Sequence, residues 1–258
     1  MAQIIPIPAF ADNYIWLLRS GDAGAIVDPG DAAPVIAHLE REGITPCAIL
    51  ATHHHGDHVG GIPALLARWS VPVFGPAREK IPGRTQALSG GDRIFVPGID
   101  ATFDVIDVPG HTAGHIALFG EYGGGPVLFC GDTLFAGGCG RLFEGTPEQM
   151  WRSLSALAAL PPETRVYCGH EYTVANLRFA LAVEPDSSEL RARDERERAK
   201  RDRDEPTVPS TMGIERATNP FLRAHLPAVR AAAAAHAEHP LADDIASFAA
   251  LREWKNHF

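Results

Sequence analysis

Short apolar runs alternate with glycine- and proline-containing turns over residues 1–170. Residues 14–18 and 25–27 are rich in β-branched and aromatic side chains and predict an early pair of strands. Residues 34–42 place their apolar side chains on one face, which predicts a helix. This interleaving of strands and helices is typical of an α/β or α+β unit. Further strands are expected at residues 47–51, 71–74, 93–96, 102–108, 116–119, 127–130 and 165–168, and further helices at residues 62–69 and 148–160.

The pattern changes after residue 170. Residues 173–183, 226–237 and 242–254 predict helices, the last two of them rich in alanine. Residues 184–205 carry many charges of both signs, which favours a solvated helix or hairpin over a binding tail. The change predicts a catalytic domain over residues 1–170 and a helical domain over residues 171–258.

Composition narrows the classes of function. The chain has 258 residues, 45% of them hydrophobic, and a net charge of −9, which disfavours nucleic-acid binding. No apolar run is long enough to span a membrane, and residues 1–18 do not resemble a signal peptide. The four cysteines are scattered without a CxxC motif, as in reduced cytoplasmic proteins. We therefore expect a cytoplasmic protein, and nothing in the sequence suggests an obligate partner, so a monomer is predicted.

Four of the twelve histidines lie between positions 53 and 58, with Asp57 among them. Neutral imidazole and carboxylate are preferred ligands of zinc and neighbouring transition metals. In extended backbone His53 and His55 point to the same side and can bind one ion, whereas His54 points away and is excluded as a ligand. Asp57 and His58 follow and can face a neighbouring position.

Three further candidate ligands each follow an apolar strand and a glycine: His111, Asp132 and His170. The glycine lets the chain turn sharply at the strand end, so these side chains can converge on one rim of the sheets. The set divides into His53, His55 and His111 for one metal, Asp57, His58 and His170 for a second, and Asp132 as a bridge.

The charge balance of this arrangement indicates hydrolysis. Two dications outweigh two aspartates and one bridging hydroxide by about one positive charge, which favours a bound anion or a developing oxyanion. Metals also lower the pKa of bound water to about 7. The hypothesis is attack by a metal-bridging hydroxide, with Asp57 as the catalytic residue that orients it. The donor set accepts zinc, iron or manganese, and zinc is favoured.

The order Thr-His-x-His-x-Asp-His, Gly-His, Gly-Asp, Gly-His over residues 12–170 resembles the metallo-β-lactamase superfamily. The resemblance implies an α+β fold, with an αββα sandwich followed here by a smaller all-α C-terminal domain. Residues 8–16, 137–145, 168–173, 219–223 and 251–255 are similar to the hydroxyacylglutathione hydrolase (glyoxalase II) family. That family implies hydrolysis of S-(R)-lactoylglutathione, an S-2-hydroxyacylglutathione, to D-lactate and glutathione, the second step of methylglyoxal detoxification.

The same resemblance assigns the substrate-binding side chains. It implies that the small-molecule glutathione thioester is bound by cationic, hydroxyl and aromatic groups. Phe143 stands where some relatives have tyrosine, so the aromatic wall is kept without the phenolic hydroxyl. Gly56 replaces a bulkier residue and is expected to loosen the ligand loop slightly. The substrate-binding set is Arg141, Phe143, Tyr172, Arg252 and Lys255.

Other functions remain as alternatives. A β-lactamase is usually exported, a lactonase has no need of a cationic glutathione pocket, and ribonuclease Z does not suit an acidic chain. A persulfide dioxygenase is nearer because it resembles glyoxalase II, but it uses one iron and has an incomplete second site. Asp57, His58 and His170 are all present here, which leaves open whether the second site is filled, and the C-terminal Arg252 and Lys255 argue more directly for the hydrolase. A non-catalytic metal-binding or redox module would need the cysteines to join the ligands.

Overall fold

The early apolar runs form a mixed sheet of six strands that lie side by side in chain order. The computed structural model describes residues 2–258. The first strand was not predicted, because Pro6 and Pro8 interrupt its pattern; both are tolerated because this strand lies at the sheet edge. The strands of this first sheet are β1 (Ala2–Ala9), β2 (Asn13–Ser20), β3 (Ala23–Val27), β4 (Thr45–Leu50), β5 (Val73–Pro76) and β6 (Gln86–Leu88).

A second six-stranded sheet is built mainly from antiparallel pairs, with one parallel pair between β10 (Pro126–Gly131) and β13 (Arg165–Cys168). Its strand order is 14-13-10-9-8-7, and a two-stranded hairpin lies outside it. The remaining strands are β7 (Arg93–Val96), β8 (Ala101–Asp107), β9 (Ile116–Glu121), β11 (Leu134–Phe135) and β12 (Gly138–Cys139) of the hairpin, and β14 (Ser210–Thr211).

The helices of the first 170 residues cover the outer faces of the sheets. The helix that starts at Pro147 begins with a capping box, in which the side chains of Thr146 and Gln149 satisfy each other's backbone N–H groups. The helix predicted at residues 62–69 is shorter than expected. The helices here are α1 (Ala32–Glu42), α2 (Gly56–Val59), α3 (Ile62–Leu66) and α4 (Pro147–Ala158).

Strand β2 shows how the layers pack. Its side chains alternate between two clusters, so that Leu17 packs with Val35 of α1 and Trp16 packs towards Phe129 of the second sheet. The strand therefore reads as a continuous apolar run because both of its faces are buried. Helices outside two face-to-face sheets confirm the predicted αββα sandwich.

The last third of the chain is mainly helical, as predicted, and adds the two-residue strand β14 to the second sheet. The charged segment forms α6 and is not wholly solvated, because Arg193 and Glu197 are buried. Among residues 2–258, no helix has the length and apolar character needed to cross a bilayer. The helices are α5 (Thr173–Val183), α6 (Ser188–Arg201), α7 (Met212–Thr218), α8 (Pro227–Ala237) and α9 (Asp244–Asn256).

Candidate metal centre

The predicted ligands meet at one edge of the two sheets. The histidine-rich loop follows β4, and His111 follows β8 after the turn at Gly110. Asp132 follows β10, and His170 follows β13 and forms an isolated bridge to Asn13. The polar side chains that follow these four strands, one from the first sheet and three from the second, therefore lie close together, as the repeated strand-glycine-ligand pattern predicts.

The first predicted ligand group is brought together. One donor atom from each of His53, His55 and His111 lies within 4.8 Å of the others. Nδ1 of His55 is 3.0 Å from Nε2 of His111. His53 and His111 are buried, whereas His55 is half-buried and reaches the cavity in front of the site.

The second group is also brought together, and Asp132 lies between the two. Donor atoms of Asp57, His58 and His170 lie within 4.8 Å of one another. Oδ1 of Asp132 is 3.3 Å from Nε2 of His58, and its Oδ2 is 3.3 Å from Nε2 of His170. The same Oδ2 lies 3.4 Å from Nε2 of His111, a member of the first group. This position suits the bridging role predicted for Asp132.

The donor set fits a divalent metal. Nε2 of His53, Nε2 of His58 and Oδ1 of Asp132 are buried and have no hydrogen-bond partner within residues 2–258. Buried polar atoms without partners are costly and are normally satisfied. Here they belong to side chains that already face one another, so coordination of a cation satisfies them all at once.

The electrostatics of the second group favour positive charge. Burial opposes protonation of His58, but the Asp132 and Asp28 carboxylates outweigh it and raise the pKa of His58 well above its usual range. Burial is likewise outweighed at His170, where hydrogen bonds donated to the Asp132 and Asp57 carboxylates raise the pKa to about 10. The hydrogen bond from His170 lowers the pKa of Asp57 below its usual range, so this carboxylate is ionised.

Asp28 is a buried part of the site that the sequence interpretation missed. Its carboxylate accepts hydrogen bonds from the backbone N–H and the hydroxyl of Thr52, both at 2.7 Å. Its Oδ2 also lies 3.2 Å from Nδ1 of His58, which leaves Nε2 to face the metal position. Asp28 follows β3 directly and precedes Pro29 and Gly30, so its sequence neighbourhood indicates only a turn.

Asp12 and Asn13 were also missed as orienting residues. Oδ1 of Asp12 lies 2.8 Å from Nδ1 of His170, and Nδ2 of Asn13 donates to Oδ2 of Asp57 at 3.0 Å. Asp12 lies in the turn between β1 and β2, and Asn13 begins β2, so both contacts orient second-group residues from this end of the first sheet. They join positions 44 or more residues apart, so local spacing carries no sign of them.

His115 is fully buried behind the first group and was not singled out. Its ring stacks on His53 with centroids 4.5 Å apart. Its Nε2 accepts a hydrogen bond from the backbone N–H of Asp132 at 3.2 Å, while Nδ1 lies 3.0 Å from the carbonyl oxygen of Ile116. Burial lowers its pKa to about 3, so it stays neutral and positions Asp132.

His54 points away from the ligands, as expected. Its Nδ1 lies 3.0 Å from Oε2 of Glu79, and its Nε2 lies 3.4 Å from Oε1 of Glu144. Glu79 also accepts a hydrogen bond from the backbone N–H of Gly114 at 3.0 Å. His54 therefore connects the histidine-rich loop, through Glu79, to the loop that carries His111.

A cavity of about 640 Å³ opens in front of the predicted metal ligands. Tyr172 stacks on His170 with ring centroids 4.7 Å apart, and Phe143 packs edge-on against His55 and His111. The structure brings all the predicted substrate-binding side chains to this cavity: Arg141, Phe143, Tyr172, Arg252 and Lys255.

Two of the cations come from α9 and share a face, as their spacing predicts. Nη1 of the buried Arg252 donates to the carbonyl oxygen of Cys139 at 2.9 Å. Nζ of Lys255 donates to the carbonyl oxygen of Ala175 at 3.2 Å. Burial, with the neighbouring charge of Arg252, lowers the pKa of Lys255 to about 8.

Two sequence families match adjacent parts of the chain. The metallo-beta-lactamase superfamily matches residues 10–170, and the hydroxyacylglutathione hydrolase C-terminus matches residues 171–258. The hydroxyacylglutathione hydrolase of Alkalilimnicola ehrlichii is 60% identical over 258 residues, covering 99% of both chains. That of Nitrosomonas eutropha is 50% identical over 258 residues, covering all of both chains.

Solved structures show the same fold. The BLEG-1 B3 metallo-beta-lactamase is 26% identical with a TM-score of 0.62, covering 86% of this chain and 99% of that one. TTHA1623 in a di-iron-bound form is 28% identical with a TM-score of 0.59, covering 84% of this chain and 100% of that one. The chain is therefore a hydrolase that belongs to the hydroxyacylglutathione hydrolase family of the metallo-beta-lactamase superfamily.

Proposed function

We propose that this enzyme hydrolyses S-(R)-lactoylglutathione and related S-2-hydroxyacylglutathiones to the 2-hydroxy acid and glutathione. The observation that carries the proposal is a single cavity. The cluster of predicted metal ligands lines one part of it, and a cationic wall formed by Arg141, Arg252 and Lys255 lines another. The cluster suits hydrolysis of a thioester carbonyl, and the wall suits the carboxylates of a glutathione group. The names of its relatives agree with this substrate.

We propose two divalent ions per chain, with zinc favoured and iron or manganese as alternatives. His53, His55 and His111 would hold one ion, Asp57, His58 and His170 the other, and Asp132 would contact both. Bound there, the ions supply Lewis acidity and lower the pKa of water to about 7. The related TTHA1623 is named in a di-iron-bound form, which supports the count of two and keeps iron open.

The protein side chains orient the reactants. Asp57 stays ionised and is held by Nδ2 of Asn13, so its carboxylate can accept a hydrogen bond from the attacking water. Phe143 is 63% exposed beside His55 and His111, where its ring can cover the acyl group. The thiolate product needs little help from a general acid, because a thiol ionises far more readily than an alcohol.

The other substrate-binding side chains would hold the glutathione part. Arg141 and Lys255 offer charge to its carboxylates. Arg252 is already held by the carbonyl oxygen of Cys139, so the rest of its guanidinium is presented in a fixed orientation. Tyr172 is fixed by stacking on His170, which would couple the glutathione contact to the second metal position.

The decisive assay follows the loss of thioester absorbance with S-lactoylglutathione. Activity should disappear with a chelator and return with zinc. A lactoyl thioester of a small uncharged thiol should react with a much higher KM, because it lacks the carboxylates. Metal-loaded protein that leaves S-lactoylglutathione intact but consumes oxygen with glutathione persulfide would instead identify a persulfide dioxygenase.

We further propose that residues 1–170 form the catalytic domain and residues 171–258 the glutathione-binding domain of a cytoplasmic monomer. The supporting observations are that the metal donors all lie in the first range and that Tyr172, Arg252 and Lys255 lie in the second. Light scattering after size-exclusion chromatography, together with cell fractionation, tests the monomer and the location.

A further inference from the structure

The hairpin of β11 and β12, residues Leu134–Cys139, has little structure of its own. Its two strands are two residues long and pair only at Leu134 with Cys139 and Phe135 with Gly138. Gly137 lies in the left-handed region at a φ of 69°, which favours glycine. So short a hairpin is not stable alone, and its conformation must be fixed by contacts from outside.

Those contacts come from the helical part of the chain. Asn219 is fully buried, and its Nδ2 donates to the carbonyl oxygens of Phe135 at 3.2 Å and Gly138 at 2.9 Å. Glu215 is also fully buried, and its Oε2 accepts a hydrogen bond from the backbone N–H of Gly137 at 2.8 Å. Two side chains on and just after α7 therefore hold three hairpin residues.

Asn176 and Arg252 bind the remaining hairpin residues, Ala136 and Cys139. Nδ2 of Asn176 on α5 donates to the carbonyl oxygen of Ala136 at 3.1 Å, and Arg252 donates to that of Cys139. Every residue from Phe135 to Cys139 thus has a backbone group bonded to a side chain from residues 171–258.

The anchors are themselves fixed. The second oxygen of Glu215 accepts hydrogen bonds from Arg193 and Ser210, and Oε2 of Glu215 also accepts from Asn219 at 3.1 Å. A buried ion pair such as Arg193–Glu215 is a weak source of net stability, because desolvation cancels much of the attraction. Its structural effect is to fix the orientation of the carboxylate that binds the hairpin.

The hairpin leads directly to substrate-binding groups. Arg141 follows its last residue by two positions, and the Arg141 carbonyl oxygen lies 2.9 Å from Nδ1 of His111. Arg252 bonds to Cys139 itself. A shift of the hairpin therefore moves two cations of the cavity, whereas Asp132, which precedes the hairpin, is still held by His115.

We propose that Glu215 and Asn219 are positioning residues that fix the Leu134–Cys139 hairpin so that Arg141 and Arg252 can bind the glutathione part of the substrate. This rests on the proposed function. The loss in their variants should lie mainly in KM, because both cations depend on the hairpin, whereas the metal ligands lie outside it on the ends of other strands and Asp132 is held by His115. A side chain that only stabilises the fold would not produce this split.

Asn219→Ala is the first test variant, and Glu184→Gln is its control. Glu184 also makes a partly buried contact in the helical part, a two-bond pair with Arg223 at 3.0 and 2.7 Å, and has no bond to the hairpin. At a temperature where both variants are folded, Asn219→Ala should raise KM for S-lactoylglutathione about tenfold or more with kcat and metal content largely kept. Glu184→Gln should leave both constants within about twofold.

Amide hydrogen exchange measures the hairpin without turnover. Exchange over residues 134–141 should speed up at least about tenfold in Asn219→Ala and stay unchanged in Glu184→Gln. If Asn219→Ala does not fold, exchange in Asn176→Ala decides in the same way. Unchanged exchange and KM in the folded Asn219→Ala, or equal effects in Glu184→Gln, would overturn the proposal. A wild type without thioesterase activity contradicts the proposed function instead and leaves the exchange result valid.

Discussion

Gly30, in the turn after β3, packs against the backbone of Asp57. A Cβ atom at this position would lie 1.8 Å from the carbonyl oxygen of Asp57 and 2.4 Å from its carbonyl carbon. Both are backbone atoms, so no side-chain rotation relieves the clash. The two segments must separate by about 1.6 Å to reach ordinary contact at 3.4 Å. Gly30→Ala therefore moves a predicted ligand of the second metal by more than the site tolerates.

The expected loss is large. A displacement of about 1 Å in a catalytic site costs roughly 100-fold in rate, and overpacking costs about 1–3 kcal/mol of stability. Gly30→Ala should therefore reduce kcat/KM with S-lactoylglutathione about 100-fold and release the second ion. Thioester kinetics, elemental analysis and the thermal unfolding midpoint measure these three quantities.

Gly56 is the matched control in the neighbouring segment. A Cβ there meets nothing within 4 Å, and the residue begins α2. Gly56→Ala should keep full activity and stabilise the fold by about 0.4–1 kcal/mol, because alanine restricts the unfolded chain. Full metal content and near-normal activity in Gly30→Ala, or equal damage in Gly56→Ala, would refute the steric reasoning.

The remaining predictions concern charge. Asp132→Asn removes a carboxylate whose oxygens lie 3.3 Å from Nε2 of both His58 and His170. A unit charge at that distance is worth about 5 kcal/mol at an effective dielectric of about 20, so metal affinity measured by chelator competition should fall by about four decades. The exposed Asp104→Asn should leave the affinity unchanged, and an unchanged affinity in Asp132→Asn would contradict the prediction. Asp28→Asn should weaken the second metal about 10–100-fold in the same titration, and equal affinity would exclude an orienting role. The pKa of Lys255 is lowered to about 8, so this side chain loses its positive charge as the pH rises above that value. KM should therefore rise from pH 7.5 to 9 in the wild type and rise less in Lys255→Arg, which keeps its charge. Parallel pH profiles of KM in the two proteins would contradict a contact between Lys255 and the substrate.

The candidate metal ligands could be selected from the sequence because each belongs to a local pattern. His53, His55, Asp57 and His58 lie within six positions, and the other three follow a strand and a glycine. Strand ends at one edge of a sheet meet in space, so chain order alone indicated a common site. Side-chain alternation grouped His53 with His55 and left Asp57 and His58 for a neighbouring position, and the structure brings each pair together with one further histidine.

The residues that orient the ligands could not be found in this way. Asp28 and Asn13 are single polar residues in turns or strands, and their partners lie 24 to 44 positions away. Arg193 and Glu215 are charged residues of the kind that usually lies on the solvated surface, yet both are buried. Their roles depend on tertiary packing, which hydrophobic periodicity does not encode. His115 carries the strongest local signal of these residues, because it is a histidine four positions after the predicted ligand His111.

Zinc titration of metal-stripped protein tests the central claim most directly. S-lactoylglutathione hydrolysis and the release of free thiol are followed together as zinc is added. Activity should appear with zinc, saturate at about two ions per chain, and release one thiol for each thioester cleaved. Full activity in the metal-free protein, or a fully loaded protein that releases no thiol, would contradict the assignment of a metal-dependent glutathione thioesterase.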